Sequence, residues 1–348
     1  MATIDIFNDD AFKMVTLTDA LNKTEFQPSL LRSMNIFTPR RVRTETVAIE
    51  EKNGVLNVIA TSARGAPLEQ KTKTKRNIRD FRTNRIAKQD TITASELANI
   101  RAFGSETELV QVQAEVADRL NGPSGLMREM ELTWEHQMLG AVQGIVYDAD
   151  NSTVINNWFD EWGVTQDAEI DFDLDNATPA SGAVRKKCNQ VIRQMQKAAG
   201  GAWVPGRTQV VGLCGDAFWD DLTAHEEPRQ TYLNTQEAAD LRNDVGMPYE
   251  SFRYGGITWI NYRGTDDDSK VAIGADKVKF FPVNAPGAFQ AAYSPGEWFD
   301  VINTPGQDVY AMTLPDTSGR NAFVDVEVYS YPLFICTRPK MLQRGKRT

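Results

Sequence analysis

Apolar and polar positions change period several times along the chain, and each change predicts an element. Residues 1–38 hold no sustained period: Met14 to Leu21 predict a short turn of helix, then Pro28 and Pro39 interrupt. Such a segment is an arm that takes its order from something else. From Arg40 the stretch RVRTETVAIEEKNGVLNVIAT alternates at period two, through Val42, Thr44 and Thr46 and again through Val55, Asn57 and Ile59. Asn53-Gly54 between the two runs is a strong hairpin signal. A return limb through the residues that follow makes a two-stranded excursion of about 50 residues, too poor in large apolar side chains to hold a core of its own.

Helical spacing takes over next. Thr93 and Ser95 are cap residues, and Ser105 with Glu108 forms an S-x-x-E capping pattern. Leu109, Val112, Val116 and Leu120 follow at helical intervals, and after Asn121-Gly122-Pro123 a second stripe runs Met127, Met130, Trp134, Met138, Ala141, Ile145. This Met/Trp stripe is core. The rod from Ser105 to Ile145 is expected to bend or break at Pro123, because proline inside a helix costs roughly 3 kcal/mol. GIVYDADNSTVINNW then predicts a hairpin turning at Asp148 to Asn151.

Beyond Pro179 helices and strands alternate. SGAVRKKCNQVIRQMQKAAGG predicts a helix with a glycine stop, TQVVGLC a buried strand, GDAFWDDLTAH and TQEAADLRNDVG helices, and ITWINYR a strand. KVAIGADKVKFFPV offers two short strands, and FVDVEVYSYPLFICTRP a long one through Val324, Val326 and Val328 into Pro332-Leu333. No repeats or low-complexity tracts occur.

Charge changes this picture in two places. Lys71, Lys73, Lys75, Arg76, Arg79, Arg82, Arg85 and Lys88 face one acid, Asp80, a local +7 in a chain of −9 that leaves −16 for everything else. Residues 148–176 hold nine acids, Asp171, Asp173 and Asp175 among them, and no base. Single-strand nucleic-acid binders interleave aromatics with their charge, yet Phe81 is the one aromatic between Leu68 and Ile92. Charge without a stacking surface, beside a strongly acidic remainder, points to another copy of the same chain as partner. A nucleic-acid-binding protein using stretch 71–88 is the alternative.

Candidate chemistry is thin. Cys188, Cys214 and Cys336 are odd in number, without C-x-x-C spacing, and predict buried free thiols; His136 and His225 cannot make a histidine-rich metal site. GAWVPGRT imitates a phosphate loop, but a helix precedes it and a strand follows, the reverse of what phosphate binding needs. DFDLDNATPASG starts like a calcium loop, yet places Asn176 at position six and Gly182 at position twelve. His225-Glu226-Glu227-Pro228 has no partner that makes a triad or a zinc site. No enzyme, cofactor or metal is expected. Neither a membrane span nor a secretion signal is visible, so the expected setting is soluble and cytoplasm-like.

In their order, PLEQKTKTKRNIRDFRTNRIAKQDTITASEL, LMREMELTWEHQMLGAVQGIVYDADNSTVINNW, TQVVGLCGDAFWDDLTAHEEPR, GGITWINYRG and YSYPLFICTRP resemble the major capsid proteins of tailed bacteriophages, in particular the lambda-type capsid E branch, from about residue 5 to 340. The resemblance implies an α+β fold: an N-terminal arm (1–38), an extended β-hairpin loop (39–92), a peripheral domain with spine helix and hairpin (93–175), a central α/β axial domain (176–314), and a closing peripheral strand with C-terminal tail (315–348). It further implies self-assembly into pentamers and hexamers as an icosahedral virion shell around double-stranded DNA, put together in the host cytoplasm without catalysis or cofactor. Because Met1 leads almost directly into the arm, a separate scaffolding protein is expected, along with a portal and room for a decoration protein. Lys-to-Asn cross-links occur in some relatives; no motif here identifies such a pair. The basic residues 71–88 are expected on a loop that crosses a neighbouring subunit and meets acidic surface there, with 148–176 the leading partner.

Overall fold

The structure, a computed structural model, describes residues 30–52, 76–99, 108–122, 125–176, 178–233, 250–262, 271–320 and 322–348. The expected helix at Met14–Leu21, the Asn53-Gly54 turn with the run from Val55, the Ser105 cap and the helix TQEAADLRNDVG lie outside these residues. First comes a short helix, α1 (Leu30–Ser33), with Leu30 and Leu31 buried. Strand β1 (Thr38–Arg41) follows, then β2 (Thr46–Lys52), β3 (Arg76–Arg82) and β4 (Ile86–Thr93). β2 pairs antiparallel with β3, from Thr46 opposite Arg82 to Lys52 opposite Arg76. The return limb is thus the basic stretch itself. β4 leaves the hairpin altogether and pairs with a strand near the end of the chain.

Thr93 caps α2 (Ala94–Asn99): its hydroxyl accepts from the Glu96 amide at 3.3 Å, and the Glu96 carboxylate accepts from the Thr93 amide at 3.1 Å. This reciprocal pair satisfies two helix-end donors. The expected rod is two helices, α3 (Glu108–Asn121) and α4 (Leu126–Gln143). Gly122 sits at the break, where a Cβ would lie 2.4 Å from the Asp118 carbonyl. On α4 the stripe Met127, Met130, Trp134, Met138 and Ala141 is buried, and Gly144 ends the helix in a left-handed conformation (φ 94°) that favours glycine. β5 (Ile145–Tyr147) and β6 (Val154–Asn157) form the expected hairpin, with the Asp150 carboxylate accepting from the Ser152 and Thr153 amides in its turn. The one-turn helix α5 (Trp158–Trp162) closes this part.

A six-stranded sheet makes the second body. Its members are β7 (Ile170–Asp171), β8 (Gln209–Cys214), β9 (Ser251–Tyr254), β10 (Ile257–Asn261), β11 (Lys277–Val283) and, further on, β16 (Gln343–Lys346), in the order β7-β16-β11-β8-β10-β9. Parallel neighbours β8 and β10 require a crossover, which carries α7 (Asp216–Ala224) and α8 (Glu226–Leu233). Helix α6 (Ala183–Ala198) lays Val184, Cys188, Val191 and Met195 on the core. GAWVPGRT is the turn from α6 to β8. At its centre Trp259 packs against Phe172, Phe218 and Phe280, with ring centroids 5.4–5.9 Å apart.

Residues 226–233, which follow the expected helix GDAFWDDLTAH, form α8, whose Pro228 sits in the first turn where no backbone donor is needed. Two expectations need correction. KVAIGADKVKFFPV yields one strand, β11, rather than two. The long closing strand is two: β14 (Phe323–Ser330) lies between β4 and β13 (Tyr310–Pro315), whereas β15 (Pro332–Cys336) pairs with β12 (Phe289–Tyr293) beside β1. Tyr331 is the crossing point, and Pro332, lacking an N–H, starts the new strand.

Candidate functional site

The basic hairpin has two unlike faces. Alternation along β2 and β3 turns Val47 and Phe81 inward, both buried, and leaves Thr46, Ala48, Ile78, Asp80 and Arg82 outward and exposed. Phe81 packs edge-on against Trp158 at 5.4 Å and lies 5.9 Å from Trp162, while the Arg79 guanidinium stands 5.5 Å over the Trp162 ring. The base of the hairpin is therefore clamped by the α5 tryptophans of its own chain.

Among the described residues, the predicted basic side chains are not brought together as one patch. Lys71, Lys73 and Lys75 lie outside the described residues, and Arg76 opens β3. Arg79 faces inward. Arg85 reaches Glu297 at 3.5 Å and lies 5.2 Å over the Tyr329 ring. Lys88, on β4, pairs with Glu129 of α4. Of the set, Arg82 is the described side chain that projects from the outward face of the hairpin.

The acidic stretch is largely satisfied at home. Lys277 binds Glu169 at 3.0 Å, Gln343 donates to Asp167 at 2.9 Å, and Lys346 binds Asp171 at 3.1 Å. The Asp173 amide, then Lys346, holds the Asp171 carboxyl below its usual range. Asp173, in a left-handed conformation (φ 53°), and Asp175 remain exposed. These pairs staple β7 to β11 and β16 within the subunit, through lysines that come from distant strands.

Two acids carry more structural weight than their sequence context announced. Glu131 and Glu135 sit on the buried side of α4. Glu135 accepts from the Leu31 amide at 3.2 Å and the Tyr262 hydroxyl at 3.0 Å, tying α1 and the end of β10 to the spine. Glu131 binds Arg32 at 3.0 Å; burial outweighs that cation and raises its carboxyl above the ordinary value. Their spacing, four residues apart and flanking the Met/Trp stripe, is the signal that marks them as inward. Glu227 caps α6 by accepting from the Val184 and Arg185 amides at 3.1 and 3.3 Å, and takes the Tyr254 hydroxyl at 2.5 Å.

Among the described residues nothing assembles into a reaction centre. The three cysteines are buried, and burial pushes the Cys188 and Cys336 thiols up to about 12. Among the described residues no three His, Cys, Asp or Glu side chains converge to hold a metal, and no helix is long and apolar enough to cross a membrane. A cavity of about 870 Å³ under the β3–β4 bend is floored by Leu126, Met130 and Ile155.

Comparison with known proteins gives this architecture its context. The family model for phage major capsid protein E matches residues 13–347. The major capsid protein of Pseudomonas phage KPP10 is 24% identical over 355 aligned positions, covering 96% of this chain and 97% of that one. That of Salmonella phage Felix O1 is 25% identical over 280 positions, 73% of each chain. Among solved structures, a capsid protein of a prophage of E.coli CFT073 superposes with a TM-score of 0.56 at 14% identity, covering 97% of this chain and 99% of the other. The shared fold is that of phage capsid proteins, and the nucleic-acid reading of stretch 71–88 finds no support in these relatives.

Proposed function

This chain belongs to the phage major capsid protein E family, a structural family rather than an enzyme family, and from that premise we propose how its copies join. Pentamers and hexamers of the chain tile an icosahedral head around packaged double-stranded DNA, which is enclosed without sequence-specific binding. A scaffolding protein and a portal take part in assembly within the host cytoplasm, and the finished shell accepts a decoration protein.

The observation that carries this reading is the β2–β3 hairpin. Its inner face is clamped by Trp158 and Trp162, while its outer face, with Ile78 and Arg82, is exposed. Such an element gains little for a lone subunit, but it reaches over a neighbour at small cost in chain length. Obligate interfaces bury on the order of 2,000–5,000 Å². Acidic surface on the neighbour receives the basic loop, with Asp173 and Asp175 as exposed carboxylates of the acidic stretch; Asp171 contributes less because Lys346 already holds it. Exposed ion pairs are worth only about 0–1 kcal/mol each, so their role is to set orientation at every repeated contact.

Negative-stain electron microscopy and sedimentation of the purified chain test this directly. Rings or closed shells are expected, with the cognate scaffold supplied. A chain that stays monomeric at every concentration under those conditions overturns the reading.

A further inference from the structure

We propose that the turn from Glu297 to Ile302 is the docking point for the outward face of the β2–β3 hairpin of a second copy, with Phe299 seated against Ile78. The inference rests on the shell reading in taking a second copy as the occupant.

Phe299 is 94% exposed, the most exposed large apolar side chain among the described residues, and Ile302 beside it is half exposed. The turn that carries them is not loose. Trp298 packs edge-on to Tyr329 at 4.8 Å and lies 5.8 Å from Tyr310, Val301 is buried, and the Thr304 hydroxyl donates to the Val301 carbonyl at 2.6 Å. Gly296 lets the Trp298 ring lie so close that a Cβ there would sit 2.3 Å away. An aromatic ring held out by a pinned backbone is presented, not frayed. Buried aromatics of this kind dominate binding energy at interfaces.

The matching surface is on the hairpin. Ile78 is 68% exposed on the outward face of β3, with Arg82 four residues further along on that face. Both apolar side chains are exposed in the folded subunit, so neither covers the other within one copy. Charge fits as well. Residues 280–319 contain Glu297, Asp300, Asp308 and Asp316 and no lysine or arginine. Glu297 is taken by Arg85, Asp308 by Arg41 at 3.3 Å, and Asp316 by the Ser318 and Ala322 amides. Asp300, next to Phe299, forms no ion pair among the described residues and is the acid placed to meet Arg82. Asp80 lies between Ile78 and Arg82, so the contact is anchored by the apolar pair and oriented by the ionic one. Asp173 and Asp175 offer charge alone, with no exposed large apolar neighbour to anchor a strand.

The test is an intermolecular cross-link. In an Ile78→Cys, Phe299→Cys variant the native cysteines are buried, so a short bis-maleimide reports on the introduced pair. Assembled particles should give covalent dimers and higher species, and each single variant only monomers. Particles that form normally but give no ladder overturn the docking point while leaving the shell reading intact; failure of the unmodified chain to assemble overturns the shell reading itself. A second variant covers the case in which the cysteine pair blocks assembly. Phe299→Asp, at the surface, should keep the thermal midpoint of the free subunit and raise the concentration needed for half assembly by about tenfold or more. Unchanged assembly of Phe299→Asp overturns the proposal.

Discussion

The six-stranded sheet and the basic hairpin are both β-structure, yet they obtain order in opposite ways. Within the sheet, strands β8 and β10 are nearly continuous apolar runs, and Trp259, Phe172, Phe218 and Phe280 fill the centre without help from any other copy. The hairpin buries Val47 and Phe81 and half-buries Ile49 against the core, while Thr46, Ala48, Ile78, Asp80 and Arg82 face outward. A sheet with a core folds as a subunit property. A ribbon with one covered face leaves the other open to contacts made later, as the proposed role in assembly requires.

Breaking the sheet should have the largest effect. Trp259→Ala removes a fully buried ring and its hydrogen bond to the Tyr254 carbonyl at 3.1 Å, and should lower subunit stability by about 4 kcal/mol or more in denaturant unfolding. All spectroscopic probes should shift together. Phe81→Ala should cost less, about 3 kcal/mol, and the loss should be local. Hydrogen exchange should accelerate in β2 and β3 while β8 and β11 keep their protection. An equal loss of protection in both places would erase the distinction between the two regions.

The smallest effect concerns the arm helix α1, which joins the spine through buried acids as well as through Leu30 and Leu31. Glu131 has a raised carboxyl in the folded chain because burial outweighs Arg32 and Arg128. Its contribution to stability is therefore present below the ordinary value of 4.5 and lost as pH rises through the raised value. Glu131→Gln carries no such titration. Between mildly acidic and neutral pH the wild type should lose ground to this variant in thermal midpoint. Parallel curves for the two would show that Arg32 fully compensates the burial.

Much of the α/β body was legible in the chain because its signals are local. The runs in β8 and β10, the stripes on α4 and α6, and the breaking residues at 121–122 each speak within a dozen positions. What escaped was long-range. Nothing near Gln343–Lys346 announces a strand; it is one because Val278, Phe280 and Ile170 lie beside it. The intrachain pairs of Glu169, Asp167 and Asp171 with Lys277, Lys340 and Lys346 were equally out of reach, their partners lying about a hundred residues or more away. Alternation across Tyr331 cannot say that one strand serves two sheets. At the hairpin the reverse held: counting cations found the element, but only the fold separates Arg79, over the Trp162 ring, from Arg82, exposed on the outer face.

Strand β16 has a temporal meaning. It lies between β7 and β11, antiparallel to the second, yet follows β11 by some sixty residues. During synthesis at about 5–20 residues per second, the edge of β11 waits about 3 to 13 s for the partner that covers it. Through that interval the hairpin and the spine exist on a chain whose central sheet still has an open edge, and the turn at Phe299 is added part-way. A ribosome that stops short of residue 343 releases a chain with its proposed docking surfaces made and its sheet unsealed. On the shell reading proposed above, such a chain would pair wrongly with its neighbours, and arrival of β16 separates a usable building block from a poison for the lattice.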